Sequence, residues 1–306
     1  MNPLSHYRTL LFRRLLRNQK IARFMSRHCL KAYLAMFYEN WTGKRMNYAD
    51  PQDLNQALIK LSWQNSLNPK MRELIPLCVD KYAVREYIAS KGYADTLNVL
   101  YGVYDNVDDI DFDALPNQFV MKMTNASGRN YICADKSECN WSKIKKQFAL
   151  WLKDTNFGWQ TGEWQYGLIQ PRIVVEKYLS SIGEIAPIDY KFQCFHGEPN
   201  SCFVGYNRDP RDTHGIVCFD DYDMDWNLTE RILPWWHKSR KLIPRPQNLE
   251  RMIQMAKDCT KDFPYCRFDL YEVEGKILFG EMTFTPQGNV QEFYSGQYLK
   301  EAKNLL

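Results

Sequence analysis

Arg267, Asp269, Glu281 and Thr283 have the types and spacing to act on an anion, within the stretch RFDLYEVEGKILFGEMTFTPQGN at 267–289. Residues 267–273 and 277–285 are rich in β-formers and flank Glu274-Gly275-Lys276, which predicts a hairpin. Strand alternation puts Arg267, Asp269 and Tyr271 on one face of the first strand. It puts Ile277, Phe279, Glu281 and Thr283 on one face of the second. An odd-numbered loop, or a bulge in one strand, sets Asp269 opposite Glu281 and Arg267 opposite Thr283. A two-residue loop sets the carboxylates on opposite faces. Facing carboxylates repel unless a cation lies between them. Hard oxygen ligands of this kind suit Mg²⁺, which takes one or two carboxylates and leaves its other positions to phosphate and water. The competing reading is an edge hairpin with solvated charges, against which Phe268, Leu270, Phe279 and Phe284 argue. The readings differ over Asp269→Asn. Relief of repulsion leaves the metal-free protein as stable or more stable, whereas loss of a carboxylate pinned by Arg267 destabilises it.

Other elements must bring phosphate-binding groups to such a hairpin. Lys122 stands in an apolar strand, 119–124, that runs into the small polar loop Asn125-Ala126-Ser127-Gly128-Arg129-Asn130 and a second strand at 131–133. Backbone N–H groups of a strand–loop–strand lid can wrap phosphates. It is not a Walker loop, because G-x-x-x-x-G-K is absent and no helix follows directly; many such loops simply join strands. Upstream, 32–38 reads as a buried helix end and 55–63 as a helix after Asp50-Pro51. Asp80 is placed to cap a short helix striped by Val84, Tyr87 and Ile88. A strand is expected at 97–104, followed by a solvated acidic loop. Downstream come a helix at 142–153, a strand at 171–179, and a hairpin of 189–195 and 201–206 with Lys191 projecting from its first strand. A helix at 249–259 then leads into the 267–285 hairpin.

At 306 residues, 45% hydrophobic and 25% charged, the chain has the composition of a folded protein of two or three lobes. Nine scattered cysteines without C-x-x-C pairs read as reduced thiols. No signal peptide and no long apolar run is evident, which predicts a cytoplasmic protein. Residues 1–31 hold eight Lys or Arg and no acid, leaving 32 basic against 36 acidic residues elsewhere, so nucleic-acid binding is not expected. In this stretch Leu11, Phe12, Leu15, Leu16, Ile21 and Met25 are spaced as on an amphipathic helix. It reads either as a peripheral contact with the inner face of a membrane or as a leader helix packed on the body.

The motifs D-K-Y-A-V-R-E-Y-I (80–88), L-Y-G-V-Y-D (100–105), V-V-E-K-Y-L (174–179), D-Y-K-F (189–192) and G-E-M-T-F-T-P (280–286) occur in an order that resembles the ATP-grasp superfamily. More closely, they resemble the TupA-like ATP-grasp proteins of bacterial surface-polysaccharide loci, over about residues 70–295. The resemblance implies an α+β, ATP-grasp fold, two β-rich lobes clasping ATP behind a helical N-terminal region. The expected divisions are 1–75, 76–117, 118–178 and 179–306. It makes Lys81 and Lys122 the phosphate lysines and Asn125, Ala126, Ser127 and Gly128 the lid. It makes Glu176, Lys177, Tyr178 and Leu179 the adenine hinge and Glu184 the ribose acid. Lys191 and Arg267 become catalytic, with Arg267 steadying the transferred phosphoryl group. Asp269 and Glu281 become Mg²⁺ ligands. Thr283 stands where many members have Asn, which puts a second metal position in doubt.

The implied reaction is ADP-forming ligation of a carboxylate to an amine through an acyl phosphate, the acid being a sugar acid or polysaccharide acceptor and the donor an amino compound. A glycan kinase and a catalytically degenerate nucleotide-binding scaffold are alternatives on the same fold. A glycosyltransferase built on the D-x-D patterns at Asp221, Asp223 and Asp225 is the alternative from another class. Arg85 and Trp226, with Tyr222, Trp235 and Trp236, are the candidate acceptor surface.

Overall fold

A computed structural model describes residues 18–179, 187–206, 218–234, 236 and 242–306. Glu184, Trp235 and the expected helix over residues 1–17 lie outside these.

The chain divides into two compact units. One comprises residues 1–76, 155–169 and 285–306, and the other residues 77–154 and 170–284. In the first, α1 (Gln19–His28) is capped by Asn18, whose side chain accepts from the amides of Lys20 and Ile21. Helix α2 (Leu30–Thr42) ends at Gly43 in the left-handed region, and α3 (Leu54–Leu67) starts on Asp53, which accepts from the Gln56 amide at 3.0 Å. These side-chain acceptors satisfy amides that a helix start leaves without partners. The core joins Tyr33, Leu34 and Tyr38 of α2 to Ile59 and Val290. The Tyr33 hydroxyl donates to the Gln160 carbonyl at 2.7 Å, tying α2 to a short helix, α4 (Phe157–Thr161).

The second unit carries the chemistry. Strands β1 (Leu100–Tyr104), β2 (Phe119–Met123), β3 (Asn130–Cys133) and β4 (Ile173–Lys177) form an antiparallel sheet in the order β1-β4-β2-β3. Strands β5 (Asp189–Phe195), β6 (Glu198–Tyr206), β7 (Cys218–Tyr222), β8 (Tyr265–Val273) and β9 (Lys276–Thr283) form a second, β7-β6-β5-β8-β9. Helix α5 (Leu249–Thr260) buries Met252, Met255, Ala256 and Cys259, a helical apolar stripe packed on β5, β6 and β8. Phe192 of β5 pairs with Phe268 of β8, and Phe268 with Met282 of β9. Alternation turns Asp189, Lys191, Arg267, Asp269, Glu281 and Thr283 to the other face.

The β8–β9 connection is the two-residue turn Glu274-Gly275, with Val273 paired to Lys276. Both turn residues have positive φ, +51° and +72°, as a tight hairpin of this twist requires. Such a turn alone would put Asp269 and Glu281 on opposite faces. A bulge prevents it: Asp269 pairs with Glu281 but Leu270 with Phe279, leaving Gly280 as the extra residue. Phe279 therefore falls on the core face with Phe268, 5.5 Å away between ring centroids, and not on the face of Glu281 as plain alternation predicts.

Candidate functional site

A cavity of about 260 Å³ in the second unit is lined by four basic side chains, Lys81, Arg85, Lys122 and Lys191. Four acidic ones, Glu176, Asp189, Asp269 and Glu281, share the lining. Each sits where its local element dictates. Asp80 Oδ1 accepts from the amides of Tyr82 and Ala83, closing the turn that precedes the 84–90 helix and leaving Lys81 on the cavity wall. Lys122 lies on β2 opposite Val174 of β4, two residues from Glu176, so the two side chains meet diagonally at 2.8 Å. Arg85 holds the other oxygen of Glu176 at 3.1 Å and donates to the Asn98 carbonyl at 2.8 Å.

The hairpin end of the cavity is an ion network. Arg267 donates to both oxygens of Asp269, at 2.8 and 2.7 Å, and its Nη2 also reaches Glu281 at 2.8 Å and Thr283 Oγ1 at 3.0 Å. The cation that relieves the paired carboxylates is thus the neighbouring arginine. The picture of two unrelieved charges awaiting a metal is corrected accordingly. Lys191 donates to Asp269 at 2.7 Å and to Asp189. Burial alone would raise the Asp269 carboxyl, which is 1% exposed, but Arg267 and Lys191 outweigh burial and hold it below the usual carboxylate range. Asp189 goes the other way, pushed up by burial that Lys191 only partly offsets. Lys191 resists burial through Asp189 and Asp269, and its ammonium is held above the ordinary lysine value.

Lys81 differs from its neighbours. Its Nζ donates to the Ala126 carbonyl at 2.5 Å, and among the described residues it pairs with no carboxylate. Burial pushes its ammonium down, with Glu281 the largest opposing influence. A half-buried cation held by a neutral carbonyl is a position where an anionic oxygen gains most.

The lid loop enters the cavity through Ser127 and Gly128, while Asn125 and Ala126 are buried. Among the described residues, neither polar side-chain atom of Asn125 has a hydrogen-bond partner. In the hinge, the Lys177 amide donates to the Val99 carbonyl at 2.9 Å and its carbonyl accepts from Asn98 at 2.8 Å, so this residue's backbone groups are engaged. Leu179 lines the cavity; Tyr178 is half-buried outside the lining. Trp226 is also outside it, stacked on Tyr222 at 4.4 Å with its indole N–H donating to the Ile243 carbonyl. Trp236 lies edge-on to Phe219.

The D-x-D carboxylates hold a loop. Asp221, fully buried, accepts from Thr229 at 2.8 Å, and Asp223 accepts from Asn227 and from the Asp225 amide. Asp189 and Gly280 escaped the residue-by-residue reading. Asp189 had a signal, two residues before Lys191 on the same strand face. Gly280, inside a strand pattern, had one as a bulge.

The donor set fits Mg·ATP by its chemistry. Asp269 and Glu281 offer hard oxygens at one end of the cavity, and Lys81, Lys122 and Lys191 offer ammonium groups for phosphate. Among the described residues there is no cluster of three or more His, Cys, Asp or Glu able to hold a metal unaided. No described helix is long and apolar enough to cross a membrane.

The sequence profile of the TupA-like ATP-grasp family matches residues 59–301. Among solved structures the chain is similar to the D-alanine–D-alanine ligase from Bacillus anthracis, at 16% identity and TM-score 0.45, covering 74% of this chain and 62% of that one. It is similar to the D-cycloserine synthetase DcsG at 14% and 0.43, covering 77% and 73%. It is similar also to the L-amino acid ligase from Bacillus licheniformis at 11% and 0.44, covering 85% and 56%. At these identities and TM-scores the likeness carries no argument about the reaction. The chain spans 54–62% of the length of the matched D-alanine–D-alanine ligase chains from Bacillus anthracis and Helicobacter pylori. No curated protein matches it.

Proposed function

Since the chain belongs to the TupA-like ATP-grasp family, we propose that it is an ATP- and Mg²⁺-dependent ligase that joins a carboxylate to an amine and releases ADP and phosphate. The acid in this reading is a sugar acid of a capsular or other surface polysaccharide, and the amine a small amino compound. The observation that carries it is the convergence of Lys81, Lys122 and Lys191 with Asp269 and Glu281 in one cavity, Lys81 lacking a carboxylate partner there.

Bound Mg²⁺ would neutralise phosphate charge as it builds. Asp269 and Glu281 would hold it, and Thr283, whose hydroxyl bridges Glu281 and Arg267, would orient that pair. Arg267, released in part from its carboxylates, would meet charge developing on the transferred phosphoryl group. Lys81 and Lys122 would clamp the other phosphates, and Lys122 would exchange its Glu176 contact for phosphate oxygen. The buried Asp189, whose Oδ1 has no hydrogen-bond partner among the described residues, lines the same cavity and together with Asp269 holds Lys191.

The glycosyltransferase alternative loses its metal ligands, because Asp221 and Asp223 are committed to their own loop. The test is incubation with ATP, Mg²⁺ and a panel of sugar acids and amines, with ADP and product mass as readouts. Acid- and amine-dependent ADP with loss of one water between the joined compounds supports the ligase. A phosphorylated sugar with no amine requirement would replace it with the kinase. No ADP under any combination would replace it with the scaffold.

A further inference from the structure

The helical unit holds a second and larger cavity, about 720 Å³, that the ligase reading does not use. It lies among α1, α2 and α3 and the 159–168 segment, and its volume is that of a ligand site. Arg27, His28, Lys31 and Arg72 all line it, and among the described residues no carboxylate does. None of the four pairs with an acid among the described residues. Their partners are aromatic faces and a carbonyl. Lys31 Nζ stands 4.1 Å from the Trp63 ring centroid and 5.0 Å from that of Tyr48, Arg27 stands 5.9 Å from Trp159, and Arg72 donates to the Ser66 carbonyl at 2.8 Å. Cation–π contacts hold the charges in place without neutralising them. Ser26, 0% exposed, adds a hydroxyl to the lining, and its Oγ has no hydrogen-bond partner among the described residues.

We infer that this cavity binds an acidic saccharide segment, carboxylated sugars of the chain being modified, at a place distinct from the ATP cavity; the inference rests on the sugar-acid reading of the function. Pyranose rings present apolar C–H faces to indoles and carboxylates to cations, and the hollow supplies both. Residues 1–17 are a poor occupant by charge, since Arg8, Arg13, Arg14 and Arg17 would meet Arg27, Lys31 and Arg72 and bring no acid. Single-stranded nucleic acid calls for a basic groove tracking successive phosphates, where this is one hollow with its charges at Arg27, Lys31 and Arg72. A membrane surface calls for a projecting face, where this is a concavity.

The experiment measures binding by calorimetry and tryptophan fluorescence without ATP, so ligase turnover does not enter. The probe is a short oligogalacturonide, with a maltodextrin of equal length as the neutral comparison. The wild type should bind the uronide at least about tenfold more tightly than the maltodextrin. Lys31→Gln with Arg72→Gln should lose at least about tenfold, with melting temperature and ATP affinity unchanged. Arg72→Gln alone, an exposed position, gives part of that loss should the double variant fold poorly. Equal binding by variant and wild type overturns the inference, as does equal binding of maltodextrin. So does displacement of the uronide by inorganic phosphate, an oligonucleotide or anionic vesicles at matched charge. Uronide binding that emerges only on removal of residues 1–17 overturns it in favour of that segment. A protein that binds the uronide but never forms ADP keeps this site and loses the ligase reading; one that forms ADP on free sugar acids yet ignores the uronide does the reverse.

Discussion

Asp269→Asn separates a carboxylate that waits for metal from one that also holds the fold. The exchange removes the charge that receives two hydrogen bonds from Arg267 and one from Lys191, at a side chain 1% exposed. Removing one partner of a buried ion pair costs about 3–5 kcal/mol. Arg267 keeps Glu281 and Lys191 keeps Asp189, and repulsion among the three carboxylates falls, so the lower end, about 3 kcal/mol, is expected. At roughly 2–4 °C per kcal/mol, the nucleotide-free variant should melt about 6–12 °C below wild type. The sign of the pH dependence is set by the depressed Asp269 pKa. The stabilisation is present above the ordinary carboxylate value near 3.9 and is lost as pH falls through the folded-state value below it. Calorimetric scans of both proteins from neutral to acid pH should therefore converge at the acid end. An Asn variant as stable as wild type at neutral pH, or more stable, would refute the network and restore the picture of two unrelieved charges.

Other expectations follow from the same contacts. Gly280→Ala places a Cβ 2.9 Å from the Asp269 carbonyl oxygen and 3.1 Å from the Tyr271 ring, so a loss of about 1–3 kcal/mol in melting experiments should accompany loss of ATP turnover as Glu281 is carried off its face. Lys81→Ala and Lys122→Ala should each weaken ATP by about 1.5–3 kcal/mol in calorimetry. Because burial lowers the Lys81 pKa, ATP affinity should begin to fall at a pH below the ordinary lysine range, and Lys81→Arg should abolish that early decline. With iodoacetamide, exposed Cys29 should react well before Cys133, whose thiol burial pushes up to about 12, as read by peptide mass mapping.

The strands and lid were legible because apolar runs bounded by Gly, Pro and Asn punctuation report local structure directly. The hairpin at 267–283 was legible as a hairpin, yet its register was not. It depends on a turn of two residues and a compensating bulge at Gly280, and a sequence shows their sum rather than either alone. The ion network was half visible: Arg267 beside Asp269 could be read by alternation, whereas Lys191 and Asp189 come from a strand 78 residues earlier. The aromatic residues near 222–236 looked like a ligand platform from composition, and Trp226 and Tyr222 instead pack on each other. The basic, tryptophan-lined hollow of the helical unit joins Lys31, Trp63 and Trp159, side chains too far apart in sequence to form a pattern.

The central claim, that the acid is activated by phosphoryl transfer to its carboxylate, is tested most directly by following oxygen. With a sugar acid that supports ADP formation, its carboxylate labelled with ¹⁸O, the account predicts that one labelled oxygen appears in the released inorganic phosphate for each amide formed. Phosphate free of label, or label retained on a phosphorylated sugar, would contradict it.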